Sequence, residues 1–301
     1  MKLAPILLFT YKRFETLIGT VNALKENNLA SESDLFIFSD GPKRQEDMGQ
    51  ILAIRKYLKT VDGFKNVYVI ESPENKGLAK SIISGTSQVM ETYDRVIVLE
   101  DDLKTTKNFL AYMNASLDEY FNHKNVFSVS GFSFDLGTQK DERYDSYFLN
   151  RGWSWGWATW KDRWEKVDWE VKDYQDFRNN TKARKRFSLG GSDLNGMLDN
   201  QMSNKLDSWA IRWFYSQFKL EGLTLYPIHS KVYNCGFDND ATHTTGSDKR
   251  YRPNLDILAS NTFKLPPATG ISEFYQNRFQ NKMGVYSRIR SKFETLFKKI
   301  F

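Results

Sequence analysis

The sequence predicts an α/β fold with a mixed sheet flanked by helices. Short apolar runs alternate with stretches of helical length over the first hundred or so residues. Strands separated by helices of this length pair in parallel through crossover connections. The chain has 301 residues, 40% of them hydrophobic, which is enough for a sizeable core. No apolar run approaches the roughly 18–20 residues of a membrane span.

Four strands and three helices are predicted in the first third of the chain. The strands are 6–9, 35–38, 67–70 and 95–99, and the helices are 15–27, 46–60 and 77–92. A polar cluster follows each strand: Thr10-Tyr11-Lys12-Arg13, Ser39-Asp40, Glu71 to Gly77, and Glu100 to Asp102. Ligands of open α/β sheets bind beyond the carboxyl ends of the strands, so we expect these clusters to line one site.

The pattern is looser after residue 103. A helix at 106–121, a strand at 126–129, a helix at 205–220 and a strand at 223–228 are predicted, and six of the eight tryptophans lie in 147–170. We predict one two-part domain over 1–265, divided into 1–103 and 104–265. A basic amphipathic helical tail is predicted over 266–301.

The net charge of +6 is concentrated in this tail. Residues 282–301 contain six basic residues and one acidic residue, so the rest of the chain carries only +1. A nearly neutral body argues against a nucleic-acid-binding face. The apolar stripe of the tail (Val285, Ile289, Phe293) fits a peripheral helix on anionic lipid, and it fits equally a helix docked on the body or on a second subunit.

The amino-terminal residues lack the apolar region and cleavage site of a signal peptide. The single cysteine, Cys235, excludes an internal disulfide. We therefore expect a cytoplasmic protein, with peripheral contact to the inner face of the plasma membrane through 282–301. The oligomeric state is left open.

The acidic run Glu100-Asp101-Asp102 predicts a divalent-metal site. Alternation along a strand puts Glu100 and Asp102 on one side. Carboxylate oxygens suit Mn²⁺ or Mg²⁺, which leave coordination positions for phosphate oxygens. The alternative is a solvated acidic loop that opens onto the helix at 106–121.

The strand-end motifs together resemble GT-A-fold glycosyltransferases. They are similar to bacterial sugar transferases related to the inverting N-acetylglucosaminyltransferase that initiates complex N-glycans. The resemblance covers roughly residues 4–245 and rests on Thr10-Tyr11-x-Arg13, Ser39-Asp40-Gly41-Pro42, Glu74-Asn75-Lys76-Gly77-Leu78-Ala79, Val98-Leu99-Glu100-Asp101-Asp102-Leu103, the segment Gly152 to Trp160, and Leu206-Asp207-Ser208-Trp209. It implies metal-dependent, inverting transfer of a hexose or N-acetylhexosamine from a UDP-sugar to a glycan or lipid-linked saccharide, in surface polysaccharide or glycoconjugate synthesis. The domain over 1–265 would then be catalytic, with 1–103 as its nucleotide-binding half and 104–265 as its acceptor half.

The resemblance also implies roles for individual residues. The nucleoside would contact Thr10, Tyr11 and Arg13, and the base would hydrogen-bond to Asp40. The rest of the donor would contact Asn75, Lys76, Gly77 and Lys80, with Lys76 or Lys80 near the diphosphate. Asp102 would be the metal ligand, Glu100 would reach the donor sugar and Asp101 the ribose. Asp207 would be the catalytic base, although it lies two residues before Trp209 whereas the family's acid directly precedes its tryptophan.

Further candidates come from the residues themselves. Tryptophan faces suit sugar rings, and alternation would place Trp153, Trp155 and Trp157 on one face of an extended segment as acceptor contacts, with at least one of them simply packed. His243, in a segment that we expect to cover the site, is a candidate for contact with the metal or the diphosphate. Asp207 is also suited to cap the helix that follows it.

Two other functions fit parts of the pattern. A sugar-phosphate nucleotidyltransferase would also bind a nucleotide and Mg²⁺, but it usually carries a glycine-rich loop after the first strand, where this chain reads Thr10-Tyr11-Lys12-Arg13. A non-catalytic carbohydrate-binding protein would suit the tryptophan-rich segment.

Overall fold

The computed structural model describes residues 3–236 and 248–291. The first third alternates strands and helices, as predicted, with bounds within about two residues of expectation. The strands are β1 (Ile6–Thr10), β2 (Asp34–Ser39), β3 (Asn66–Glu71) and β4 (Arg95–Glu100). The helices are α1 (Phe14–Lys25), α2 (Met48–Leu58) and α3 (Leu78–Met90).

The second part of the chain is less regular. Its strands are β5 (Leu103–Thr105), β6 (Val126–Ser130), β7 (Ser146–Leu149), β8 (Trp157–Trp160), β9 (Leu223–Pro227) and β10 (Val232–Asn234). Its helices are α4 (Phe109–Glu119), α5 (Lys161–Trp164), α6 (Tyr174–Asn179), α7 (Thr181–Ser188), α8 (Leu194–Met202), α9 (Trp209–Lys219), α10 (Asp248–Tyr251) and α11 (Glu273–Met283).

Eight strands form one mixed sheet in the order β3-β2-β1-β4-β8-β6-β9-β7. The first four strands are parallel, and Thr10 pairs with Ser39, which pairs in turn with Glu71. Glu100 is level with Phe9 in the neighbouring strand. The carboxyl ends of these strands therefore meet at one edge of the sheet. The predicted fold class, an α/β mixed sheet flanked by helices, is confirmed.

A second, two-stranded sheet was not predicted. In it β5 pairs antiparallel with β10, and Leu103 lies opposite Asn234. These strands are three residues long and carry no clear alternation, so periodicity does not reveal them. Their pairing returns the chain to the end of the acidic run.

Alternation along the strands divides the apolar residues between two cores. In β1, Ile6 and Leu8 pack on one face with α1 and α4, whereas Leu7 and Phe9 pack on the other with α3 and α9. Both faces of the sheet are covered by helices, which is why the strands read as continuous apolar runs.

The described part of the predicted tail packs against the body. Tyr275, Phe279 and Met283 of α11 are buried in the core, and the Tyr275 ring stacks on that of Tyr147 with centroids 3.9 Å apart. Residues 292–301 lie outside the described part of the chain. Within the described part, none of the helices has the length and apolarity needed to cross a bilayer.

Candidate active site

The arginine that follows β1 connects two residues of the acidic run. Arg13 donates from one Nη to Asp101 Oδ1 at 3.1 Å and to Asp102 Oδ2 at 2.8 Å. Strict strand alternation does not allow adjacent acids to share a partner. They do so here because β4 ends at Glu100 and a turn begins. The predicted pairing of Glu100 with Asp102 on one side is thus incomplete, since Asp101 also faces the site.

The remaining contacts of Asp101 hold the segment after β1. Its Oδ2 accepts hydrogen bonds from Thr10 Oγ1 at 2.9 Å and from the Tyr11 amide at 3.3 Å. With the bond from Arg13, these contacts fix the Thr10–Arg13 segment against the end of β4. Asp101 therefore orders the predicted nucleoside-binding residues.

Burial disfavours ionisation of two carboxyl groups in the acidic run. Burial, followed by the nearby Asp102 and Asp101 carboxylates, raises the pKa of Glu100 to about 8, against a small lowering by Arg13. Burial likewise raises the pKa of Asp101 to about 6, although Arg13 opposes the rise. One guanidinium does not neutralise three carboxylates, so a bound cation would stabilise the ionised run.

Asp40, at the end of β2, is almost fully used by the protein. Oδ1 accepts from the Gly41 and Lys76 amides, both at 2.9 Å, and Oδ2 accepts from the Gly77 amide and Asn75 Nδ2, both at 3.0 Å. A carboxylate has about four lone-pair positions. The predicted contact to the base would compete with these bonds, whereas a role in shaping the 75–77 turn follows directly from them.

The residues around Asp40 are packed tightly enough to require glycine. A Cβ at Gly41 would lie 2.4 Å from the Glu74 carbonyl carbon, and Gly77 has φ +77 immediately before α3. Lys76 and Lys80 extend from this turn and from the first turn of α3, and both are exposed. They are thus available to an anionic ligand at this edge of the sheet.

Asp47, which was not predicted as a site residue, contacts both Tyr11 and Lys12. Asp47 is buried and accepts from the Tyr11 hydroxyl at 2.8 Å and from Lys12 Nζ at 2.9 Å. The Tyr11 hydroxyl in turn accepts from the Lys43 amide at 3.0 Å. Asp47 lies outside the strand-end motifs, in a 3₁₀ turn before α2, so no local pattern reveals it.

The segment after β10 closes on Asp102. The Cys235 amide and thiol both donate to the Asp102 carbonyl oxygen, at 2.9 and 3.1 Å. A Cβ at Gly236 would lie 2.0 Å from Asp102 Oδ2, so any larger residue would displace the Asp102 carboxylate. The sequence predicted a segment over the site that includes His243, but not that Gly236 would contact the acidic run. Burial raises the pKa of the Cys235 thiol, which disfavours the reactive thiolate.

Asp207 lies beside the 75–77 turn. A Cβ at Gly77 would be 4.0 Å from Asp207 Oδ2. The Asp207 side chain is 69% exposed and contacts Arg212 at 3.3 Å. The helix after it begins at Trp209 and is capped by Ser208, whose hydroxyl accepts from the Ile211 amide, so the helix-cap role proposed for Asp207 is wrong.

The three candidate acceptor tryptophans do not share a face. Trp157 is 2% exposed and packs among Trp164, Trp209 and Trp213, so no ring face is available to a sugar. Trp153 is buried against Phe132 and Phe279 on the other side of the sheet, whereas Trp155 is half-buried. Alternation fails because Gly156 has φ +61, which turns the chain immediately before β8.

Asp102, one of the two predicted metal ligands, fits a metal site whose other ligands would be substrate oxygens and water. Among residues 3–236 and 248–291, no three or more His, Cys, Asp or Glu side chains are grouped to hold a metal ion. Asp102 offers Oδ1, which accepts no hydrogen bond from any described residue. A single open carboxylate suits Mg²⁺ or Mn²⁺ when substrate phosphates and waters complete the shell. His243, the other predicted ligand, lies outside the described residues.

Comparison with known proteins yields distant structural likenesses. No protein-family model matches this chain, and no curated protein sequence matches it. One crystal structure of TarS of S. aureus is 14% identical with a TM-score of 0.43, over 78% of this chain and 36% of TarS. A crystal structure of TarS 1–349 is 10% identical with a TM-score of 0.42, over 76% and 60%. This chain thus spans about a third of one TarS chain and 60% of the other.

Proposed function

We propose that this chain is a metal-dependent glycosyltransferase that uses a UDP-sugar. The observation that carries the proposal is that two carboxylates with different surroundings lie at the same edge of the sheet. Asp102 lies in a buried, arginine-bound acidic run, and Asp207 is exposed beside the 75–77 turn. The first environment suits a cation and diphosphate, and the second suits a base.

Asp102 would hold Mn²⁺ or Mg²⁺, and a bound metal would supply neutralisation of diphosphate charge. The exposed Lys76 and Lys80 would add positive charge on the same side. Tyr11 and Arg13, held by Asp47 and Asp101, would border the nucleoside. The Glu100 carboxyl would face the donor sugar. Asp101 would lie on the ribose side of the run.

Asp207 would accept the proton of the acceptor hydroxyl while that oxygen forms its bond to the anomeric carbon. The bond from that carbon to the diphosphate would break on the opposite face, with inversion. A solvent-exposed carboxylate fits this role because the acceptor must reach it from outside. Of the three candidate tryptophans, Trp153 and Trp157 are buried and Trp155 is half-buried, so Trp155 would be the one to contact an acceptor saccharide.

The acceptor would be a saccharide or a lipid-linked saccharide, in synthesis of a surface polysaccharide or glycoconjugate. A cytoplasmic location with peripheral contact through 282–301 stays part of this proposal. In its described part, Val285, Tyr286 and Ile289 are exposed and Arg288 lies between them. No nucleic acid is involved in this proposal.

The proposal is tested by UDP release from a panel of UDP-hexoses, with and without Mn²⁺, together with calorimetric UDP binding. Asp102→Ala is expected to lose metal-dependent UDP binding. Asp207→Ala is expected to keep that binding and to lose transfer by about 100-fold or more, as for removal of a general base. Glu170→Ala, which changes an exposed acid paired with Lys172, serves as the matched control.

Two results would contradict the assignment. The absence of both turnover of any common UDP-hexose and Mn²⁺-dependent UDP binding would contradict the proposal that the protein is a UDP-sugar glycosyltransferase. Normal transfer by Asp207→Ala would leave the activity in place but assign the base to another residue. Formation of a nucleotide-sugar from a sugar phosphate and a nucleoside triphosphate would instead identify a nucleotidyltransferase.

A further inference from the structure

The turn at 255–260 exposes two adjacent large apolar side chains. Ile257 is 88% exposed and Leu258 is 89% exposed, more than any other large hydrophobic residue in the described part of the chain. Scattered single apolar residues on a surface are ordinary. Two neighbours that are both almost entirely in water, at the tip of one turn, call for a specific explanation.

Hydrogen bonds and an ion pair hold the turn in place. Asn108, at the start of α4, donates to Asp256 Oδ2 at 2.9 Å and to the Ser260 carbonyl at 2.7 Å. Asp256 also forms an ion pair with Lys231 and accepts from the Ala259 amide at 3.1 Å. These bonds fix both sides of the Ile257–Leu258 tip, so its exposure is imposed by the fold.

The turn stands at the same edge of the sheet as the candidate active site. Ser230, which follows β9, pairs with Leu255, and its amide donates to the Asn254 carbonyl. Lys231 then leads into β10, which runs three residues to the Cys235–Gly236 contact with Asp102. At about 3.3 Å per residue, β10 spans roughly 10 Å. The base of the turn and the acidic run therefore lie at the same edge of the sheet, with the length of β10 between them.

Two exposed lysines lie close to the turn in the chain. Lys107 directly precedes Asn108, which binds both sides of the turn, and Lys264 lies four residues after Ser260, where its amide donates to Asp145. The Lys107 carbonyl accepts from the Asn28 amide, and the Asn28 side chain donates to Asn261 at 2.9 Å. The one acid in the turn, Asp256, is already paired with Lys231. An apolar tip between cations suits a surface that combines hydrocarbon with phosphate.

We propose that the Ile257–Leu258 turn inserts into an anionic lipid surface and brings the active-site edge against it. A second copy of the chain fits less well, because a stable interface needs roughly 800 Å² from each partner and two protruding side chains supply far less. A bilayer needs no matching surface. The benefit to catalysis, access to a lipid-linked acceptor, rests on the proposed function, whereas the lipid contact itself does not.

The test is co-sedimentation of the full chain with vesicles of phosphatidylglycerol and phosphatidylcholine, and with phosphatidylcholine alone. Ile257→Ser/Leu258→Ser is expected to weaken binding to the anionic vesicles by at least about tenfold, since each aliphatic side chain contributes that much when buried. Leu258→Trp is expected to bind at least as tightly as the parent, because tryptophan favours the membrane interface. The control, Leu52→Ser/Leu220→Ser, changes two other exposed leucines and is expected to bind as the parent does.

The outcomes separate cleanly. A parent that ignores anionic vesicles overturns the proposal, as does a 257/258 double variant that binds as well as the parent. A double variant that changes the sedimentation mass from dimer to monomer, with vesicle binding unaltered, would assign the turn to self-association and overturn it as well. Vesicle binding needs no donor, and UDP release can be followed with a water-soluble acceptor. Failure of this inference is thus distinct from failure of the proposed activity.

Discussion

Replacing Asp40 with asparagine distinguishes a residue that reads the base from one that holds a turn. The two side chains have the same shape, but asparagine exchanges one acceptor oxygen for an NH₂ donor. Oδ1 and Oδ2 of Asp40 each accept two hydrogen bonds. In either orientation of the new amide, its nitrogen therefore faces two donors.

The cost follows from these contacts. Hydrogen bonds to a charged group contribute about 1.5–3 kcal/mol each, so losing two removes roughly 3–6 kcal/mol if the turn stays in place. The 75–77 turn is partly exposed and can relax towards water, and the Asn75 side chain can reverse its amide. We therefore expect a loss of about 2–4 kcal/mol, which lowers Tm by about 4–8 °C at roughly 2 °C for each kcal/mol.

Thermal unfolding and UDP calorimetry are measured side by side, with Asp62→Asn as the control. Asp62 is exposed and pairs with Lys25, so its change is expected to stay within about 0.5 kcal/mol. A displaced turn would weaken binding of UDP and of other nucleoside diphosphates together. An unchanged Tm combined with a selective loss of affinity for UDP would refute the structural role and restore the predicted contact to the base.

Two further predictions concern the acidic run. Gly236→Ala places a methyl group 2.0 Å from Asp102 Oδ2, and we expect at least about tenfold weaker metal-dependent UDP binding. Gly196→Ala, which meets open space, serves as its control. Equal UDP binding by both variants would be inconsistent with the close approach of Gly236 to Asp102. For Glu100, a folded-state pKa of about 8 against an ordinary 4.5 means stability that is complete below pH 4.5 and is lost as pH rises towards 8. The upper limit is about 5 kcal/mol, and because the side chain keeps some contact with solvent we expect about 1–3 kcal/mol. In metal-free buffer the parent should lose Tm between pH 5 and 8 relative to Glu100→Gln, and parallel pH profiles would rule this out.

The parallel half of the fold could be predicted because its signals are local. Each of the first four strands is an apolar run, and a helix separates each from the next, so the connection lengths favour parallel pairing. This placed the ends of β1, β2, β3 and β4 at one edge, as observed.

The rest of the site depends on contacts distant in sequence. Asp47 reaches back 36 residues to Tyr11, and Gly236 meets Asp102 only through a three-residue strand pairing. Neither has a periodic signature. The expectation that Trp153, Trp155 and Trp157 share a face failed for a related reason, because a single left-handed glycine, Gly156, ended the alternation on which it relied. Local conformations of this kind are set by packing, not by pattern.

The distribution of hydrogen bonds divides the acids of the site into two groups. Asp40, Asp47 and Asp101 each accept three or more bonds from neighbouring segments, and their acceptor capacity is spent on holding those segments. Among the described residues, none donates to Asp102 Oδ1, and Asp207 has a single contact, at 3.3 Å. A carboxylate that must bind a cation or take a proton needs free lone pairs in the resting protein. The chemistry is therefore expected at Asp102 and Asp207, and the strand-end position that drew attention to Asp40 and Asp101 identifies residues that build the site.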